Sequence, residues 1–257
     1  MNAHQTDQGR HRHLLLRSTD SGATWSAPED ITDAVGNDTF ISGPGVGIRL
    51  RGGRLVIPGY ISDYAADRTR LATYACVAFS DDSGRSWRLG QPVAYAMSNE
   101  SQAVELRDGA LLLNWRNQTP AAENPACRGT SLSRDGGETW EAPVLAHALH
   151  DGTCQGGFTR QPLTAEHAES RLLFSNPNYR HGTGNARTEM TVRLSRDEGQ
   201  TWPVARLIHA GPSAYSCPAV LPDDTIAVLY ECGDSSPYER LRLARFSWDW
   251  LEGGVRA

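Results

Sequence analysis

Apolar residues in this chain come in short runs of three to five, each stopped by a turn, and nowhere at the three-to-four spacing of an amphipathic helix. Three kinds of run recur in a fixed order. A short strand comes first, as in Gly47-Ile-Arg-Leu50, Gln102-Ala-Val-Glu-Leu106 and Pro218-Ala-Val-Leu221. A turn follows, in Arg51-Gly-Gly-Arg54, Arg107-Asp-Gly109 and Pro222-Asp-Asp224. A strongly apolar second strand comes next, in Leu55-Val-Ile57, Ala110-Leu-Leu-Leu113, Arg171-Leu-Leu-Phe174 and Thr225-Ile-Ala-Val-Leu229. A third strand, in His13-Leu-Leu-Leu16, Ala75-Cys-Val-Ala-Phe79 or Met190-Thr-Val-Arg-Leu194, leads into a polar phrase, and a fourth leaves it. Four antiparallel strands per repeated unit predict an all-β chain built as a β-propeller.

The polar phrase is itself a repeat. Ser-x-Asp-x-Gly-x-Thr/Ser-Trp occurs at Ser18–Trp25, Ser80–Trp87, Ser133–Trp140 and Ser195–Trp202, with its Asp at 20, 82, 135 and 197. The steps are thus 62, 53 and 62 residues, the period of supersecondary units set side by side. In each copy the Asp is expected to fold its carboxylate onto backbone amides, and the Gly to take the positive φ of a tight turn. The Thr or Ser hydroxyl adds a local hydrogen bond, and the Trp is expected to pin the turn to the sheet.

Strand parity separates these boxes from any site. In an up-and-down blade the start of strand one, the end of strand two and the start of strand three share one face. The boxes join strands three and four on the other face and read as scaffold. Glu100 starts a first strand, Arg116 ends the second strand of the same blade, and Arg187 begins a third strand. Tyr215 precedes a first strand and Glu231 ends the next one. All five are expected on one rim.

Composition narrows the partners. With 257 residues and a net charge of −5, the chain has no polybasic footprint for nucleic acid. No apolar run approaches the ~18 residues of a membrane span. Residues 1–12 are polar and lack the apolar stretch of a signal peptide, which as written fits the cytoplasm and leaves open a start further upstream. All 25 Lys and Arg residues are Arg, which excludes Schiff-base chemistry and a lysine-bearing phosphate loop. Five scattered cysteines, Cys76, Cys127, Cys154, Cys217 and Cys232, read as small buried hydrophobes rather than a disulfide framework or zinc site. His4, His11 and His13 read as parts of a solvated tail.

The boxes, together with Gly43-Pro-Gly-Val-Gly-Ile48, Gly53-Arg-Leu-Val-Ile-Pro58, Asn99-Glu-Ser-Gln102, Leu113-Asn-Trp-Arg-Asn117, Phe174-Ser-Asn-Pro177 and Gly211-Pro-Ser-Ala-Tyr215-Ser, resemble the exo-α-sialidases (neuraminidases) of bacteria and animals. The resemblance runs over nearly the whole chain from about Arg17. It implies a six-bladed propeller that hydrolyses terminal sialic acids from glycoconjugates, with no cofactor and no metal. Matched by motif, Tyr215 would be the nucleophile and Glu100 its partner. Arg116 and Arg187 would be two of three arginines that clamp the substrate carboxylate, Glu231 would orient the remaining arginine, and Tyr60 would touch the glycerol arm. Trp115 stands where a small residue is commoner, and Ser101 where animal enzymes often have Cys.

The family's Arg-Ile-Pro segment, with its first arginine, matches no position here, and neither does the aspartate acid that follows it. Asp7 precedes the first box at a suggestive distance but reads as a tail residue. A single domain over 1–257 is therefore expected, truncated at the N-terminus relative to the family, with about four and a half blades. Such an open propeller would expose a blade edge that invites self-association. A sialidase acting on sialylated glycans is the leading reading. A sialoside-binding propeller that lacks the acid and first arginine is the alternative, and a box propeller used for protein contacts is a third.

Overall fold

The computed structural model describes residues 12–35, 39–65, 69–119, 126–164, 169–178 and 187–253. Asp7, His4 and His11 lie outside the described residues. Within them the chain is all-β, with sheets in sequence order. Strands β1 (Leu14–Leu15) and β2 (Glu29–Asp30) form a two-stranded outer half-blade. A short helix α1 (Thr32–Val35) leads to the next blade, made of β3 (Ile41–Ser42), β4 (Ile48–Arg49), β5 (Leu55–Tyr64), β6 (Arg70–Ser80) and β7 (Arg88–Leu89). Here β3 and β4 both pair with β5, so the first strand of this blade is interrupted. The third unit is β8 (Ser98–Glu105), β9 (Leu111–Asn117), β10 (Cys127–Ser133) and β11 (Val144–His150), all antiparallel neighbours.

The fourth unit contains β12 (Gly157–Arg160), β13 (Leu172–Pro177), β14 (Thr188–Ser195) and the first half of β15 (Val204–Val220). The second half of β15 opens the fifth unit and pairs with β16 (Ile226–Cys232), which pairs with β17 (Arg240–Phe246). The sequence pattern suggests separate strands here, but 17 residues run on as one strand that serves two blades. The helix α2 (Trp248–Glu252), capped by Ser247 and ended at Gly253, follows β17.

Side chains alternate across a strand. The second, third and fourth units are covered on both faces, which explains runs that are apolar throughout rather than at every second position. Along β6, Cys76 and Ala78 enter the core shared with the half-blade, while Ala75, Val77 and Phe79 enter the core shared with the third unit. Two further cores lie between the third and fourth units (Val104, Leu149, Phe158, Phe174) and between the fourth and fifth (Met190, Val192, Ile226, Val228). The hydrophobic effect thus acts between blades, so a lone blade would be half solvated. The outer face of the fifth unit shows what that looks like: Leu229, Leu241 and Leu243 are 44%, 65% and 67% exposed.

The innermost strands converge. Residues of β4, β8, β12 and the second half of β15 line one cavity of about 440 Å³, which marks the axis of the propeller. The four boxes lie at the junctions of strands three and four, as the pattern requires. In each, the Asp accepts bonds from the Thr or Ser four residues on, for example Thr139 N at 2.9 Å. The box Ser accepts from the Gly amide at 2.8–2.9 Å, and the Gly φ values are +84° to +99°. The box Trp behaves unevenly. Trp87 is buried in the core between the half-blade and the next blade, whereas Trp25, in the half-blade, is 61% exposed.

His13 departs from its reading as tail. It lies half-buried beside Phe40, with ring centroids 5.4 Å apart, and its backbone amide donates to the Thr32 hydroxyl. No helix among the described residues is long and apolar enough to cross a membrane.

Candidate active site

Two bulges build the site. The pairing of β8 with β9 slips between Ser98 and Ser101, and the pairing of β15 with β16 slips between Ser213 and Ser216. A bulge bends its strand and re-aims the side chains at the kink. Glu100 and Tyr215 sit at these two kinks, each at the rim end of a first strand, and they meet. The Tyr215 hydroxyl donates a short hydrogen bond to Glu100 Oε1 across a sequence separation of 115 residues. Arg116, near the end of β9, donates through Nη1 to Glu100 Oε2 at 2.6 Å and lies 3.5 Å from the Tyr215 hydroxyl. The Arg116 and Glu100 side chains are only 11% and 13% exposed.

Arg187, just before β14, comes from the fourth unit. Its guanidinium lies over the Tyr215 ring, 5.6 Å from the centroid. It is steadied by the Tyr238 hydroxyl and by the Thr153 carbonyl, the latter at 3.3 Å. Tyr60, on β5, lines a second cavity of about 540 Å³ together with Glu100, Tyr215 and the 41–47 segment. Glu231, at the end of β16, accepts the Tyr215 backbone amide at 3.1 Å and so fixes the bulge that carries the phenol. Tyr215, Glu100, Arg116, Arg187, Tyr60 and Glu231 therefore lie on the face opposite the boxes.

Charge and burial set the protonation of the site. Burial raises the Tyr215 phenol above its ordinary 10.0, and the Glu100 charge and hydrogen bond raise it further. Tyr60 is also raised, by burial first and then by Glu100. For Arg116 burial acts to lower the affinity for its proton, but attraction to Glu100 outweighs it and the net shift is upward. The phenol is thus neutral near pH 7, already bonded to a base, with two guanidinium groups beside it. A neutral nucleophile flanked by fixed positive charge suits attack at a centre that bears an anionic group.

The BNR repeat-like domain family matches residues 1–228. The chain belongs to that family. Among its relatives, a sialidase of Micromonospora viridifaciens is 35% identical over 95% of this chain and 36% of its own length. Sialidase-3 of Mus musculus is 28% identical over 92% of this chain and 66% of its own length. A solved Hadza microbial sialidase superposes with a TM-score of 0.78 at 30% identity, covering 93% of this chain and 44% of that one. The chain shares the β-propeller of these BNR-repeat sialidases, and it spans between about a third and two thirds of their lengths.

Two departures from the family pattern have local explanations. The large ring of Trp115 is fully buried against Gly129, its cross-strand partner, where an added Cβ would stand 1.9 Å from the ring. Glycine at 129 is therefore the space that admits Trp115. Ser101 donates to the Gly59 carbonyl at 3.0 Å, a bond that ties the third unit to the second.

Sequence reasoning missed Arg128, Asp151, Gln155 and Tyr238. Arg128 starts β10, a third strand, so the parity that found Arg187 reaches it too. Asp151 and Gln155 follow the end of a fourth strand and carry no motif, and Tyr238 sits in a connecting loop. That loop is held by Glu239, whose carboxylate accepts the amides of Asp234, Ser235 and Ser236 at 2.7–2.9 Å.

Proposed function

We propose that this chain carries the active-site rim of an exo-α-sialidase, which hydrolyses terminal sialic acid from glycoconjugates. The observation behind this reading is the contact of Tyr215, Glu100 and Arg116, with Arg187 over the phenol, assembled from three different blades. Sialic acid bears a carboxylate on its anomeric carbon. A carboxylate nucleophile would be repelled there, whereas a phenol is not, provided that a base takes its proton.

In the proposed reaction the Tyr215 oxygen attacks the anomeric carbon while Glu100 accepts the phenolic proton. The bond to the leaving oxygen breaks, and that oxygen acquires a proton. Water then attacks the same carbon and gives up a proton to solvent, which restores the one that the leaving oxygen took from solvent; the bond to Tyr215 breaks, and Glu100 returns the phenolic proton to Tyr215. Arg116 and Arg187 hold the sialic acid carboxylate, for which the guanidinium gives charged, bidentate donors. Arg116 is pre-set by its bond to Glu100 and Arg187 by Tyr238 and Thr153. Tyr60 contacts the glycerol arm, and Glu231 holds the backbone of Tyr215.

A second reading turns on the acid. No position in 1–257 matches the family's Arg-Ile-Pro segment or its acid aspartate. A positioned general acid contributes roughly 10²–10⁴ in rate. A sialoside-binding propeller with little turnover of natural substrates is what such a rim would be without that acid.

The two readings separate in paired assays of aryl-sialoside hydrolysis and binding of the 2,3-unsaturated sialic acid analogue. An aryl leaving group needs little protonation and so tests the nucleophile apart from the acid. Tyr215→Phe is expected to abolish hydrolysis and keep binding. Glu100→Gln should slow hydrolysis less completely, and Arg187→Ala should weaken binding. Hydrolysis by Tyr215→Phe at the wild-type rate would overturn the sialidase reading. Binding without hydrolysis in the unaltered chain would favour the second.

A further inference from the structure

Beneath the rim, five consecutive residues touch Arg187 and the backbone beside Arg116 and Tyr215. Asp151 is buried and pairs with the fully buried Arg128 at 3.2 Å. The same Asp151 oxygen accepts the amide of Asn117, the residue after Arg116, at 3.0 Å. Its other oxygen accepts the Cys154 amide at 3.1 Å and closes the turn. Arg128 spends its remaining donors on Asn114 Oδ1 at 2.8 Å, the Cys154 carbonyl at 2.9 Å and, more weakly, the Glu100 carbonyl at 3.4 Å.

The turn itself reaches the other half of the site. Thr153, held at φ +54°, presents its carbonyl to Arg187. Gln155, 2% exposed, accepts the amide of Ser216, the residue after Tyr215, at 3.0 Å. One five-residue segment therefore contacts Arg187 directly and the backbone next to Arg116 and Tyr215, while its ion-pair partner reaches the Glu100 peptide.

We infer that the 151–155 turn and Arg128 form a positioning device that sets Glu100, Arg116, Tyr215 and Arg187 in register with one another. The inference deepens the sialidase reading, since the groups it aligns are that reading's nucleophile, base and clamp. A buried ion pair is a poor source of net stability but is well suited to fixing one geometry, because each unpaired alternative leaves a charge without a partner. The four aligned groups come from two bulged strands and two strand ends in three different sheets, places where backbone pairing alone does not fix a side chain. The turn supplies that constraint from below the rim, with Asp151, Cys154 and Gln155 buried.

The test needs no substrate. In protein labelled with ¹³Cζ-tyrosine, the Tyr215 resonance, assigned by its loss in Tyr215→Phe, reports the hydrogen bond to Glu100. Gln155→Met removes only the acceptor for the Ser216 amide, and Asp151→Asn keeps an oxygen but removes the charge. In both folded variants the Tyr215 resonance should move at neutral pH.

Asp135→Ala, in a box on the far face, should leave the resonance unchanged, which separates positioning from a general loss of stability. If Asp151→Asn does not fold, Gln155→Met carries the test alone. A folded Gln155→Met with the wild-type resonance would overturn the inference. Failure of the wild-type chain to bind the sialic acid analogue would count against the sialidase reading and leave this result standing.

Discussion

The two faces of this propeller are made in opposite ways. On the box face, each structural unit closes on itself within eight residues. The Ser, Asp, Gly and Thr of a box bond to one another over separations of two to four positions. On the rim, the central hydrogen bond joins residues 115 apart, and the next joins residues 99 apart. Local chemistry repeats because each copy needs only itself. The rim cannot repeat, since its geometry exists only when several blades have packed. The box face thus frames the molecule, and the freedom to build chemistry lies on the side where blades differ.

That contrast is open to several tests. The largest stability change is expected within the box face. Trp87→Ala removes a buried ring from the core between the half-blade and the next blade, a loss of about 3–5 kcal/mol that chemical denaturation would read. The Tyr215 resonance should stay in place at temperatures where this variant is folded. Movement of that resonance would show that the faces are not separable.

Asp135→Ala should act more mildly, lowering Tm by roughly 2–4 °C with no effect on binding at the rim. Its carboxylate accepts bonds from Thr139 and Ser133. A loss of analogue affinity in this variant would contradict the division of labour.

The faces should also fail at opposite ends of the pH scale. Burial of Asp135 acts to raise its pKa, but the bonds from Thr139 and Ser133 outweigh it and hold the group near about 2. Because the folded value is depressed, its contribution is present above the ordinary 3.8 and fades as pH falls toward 2. Tyr215 is raised, so its contribution is present below 10.0 and is lost as pH climbs above it. Melting curves should therefore show an acid limb reduced in Asp135→Ala and an alkaline limb reduced in Tyr215→Phe. Identical limbs in both variants would remove this distinction.

The smallest effect belongs to Trp25, the exposed member of the box set. Trp25→Ala should leave Tm almost unchanged. A loss comparable with that of Trp87→Ala would mean that another surface covers the half-blade in solution.

The same contrast explains what could be read from the chain. The boxes, the alternation of short strands and turns, and the placing of Glu100, Arg116, Arg187, Tyr215 and Glu231 on one face all follow from local pattern plus parity. What parity lacked was register. It gives the end of a strand and not the bulge there, so the contacts at Glu100 and Tyr215 were beyond it. The bond from the Tyr215 amide to Glu231 likewise depends on the bulge, and a resemblance tied to an arginine did not foretell it. The continuous β15 was hidden because its two halves serve successive units, and a pattern of four strands per unit separates them. Arg128 and Asp151 stayed out of sight for a different reason: a buried ion pair leaves no periodic trace, only two charged residues in ordinary company.

The most direct test of the rim is covalent. With a 2,3-difluorosialic acid, fluoride departs without help from a general acid, so the nucleophile is tested whether or not an acid is at hand. The protein should be incubated with this reagent, digested and mapped by mass spectrometry. The account predicts one sialosyl adduct, on the Tyr215 side chain, absent from Tyr215→Phe and slowed in Glu100→Gln. An adduct on any other residue, or none on the folded protein, would contradict it.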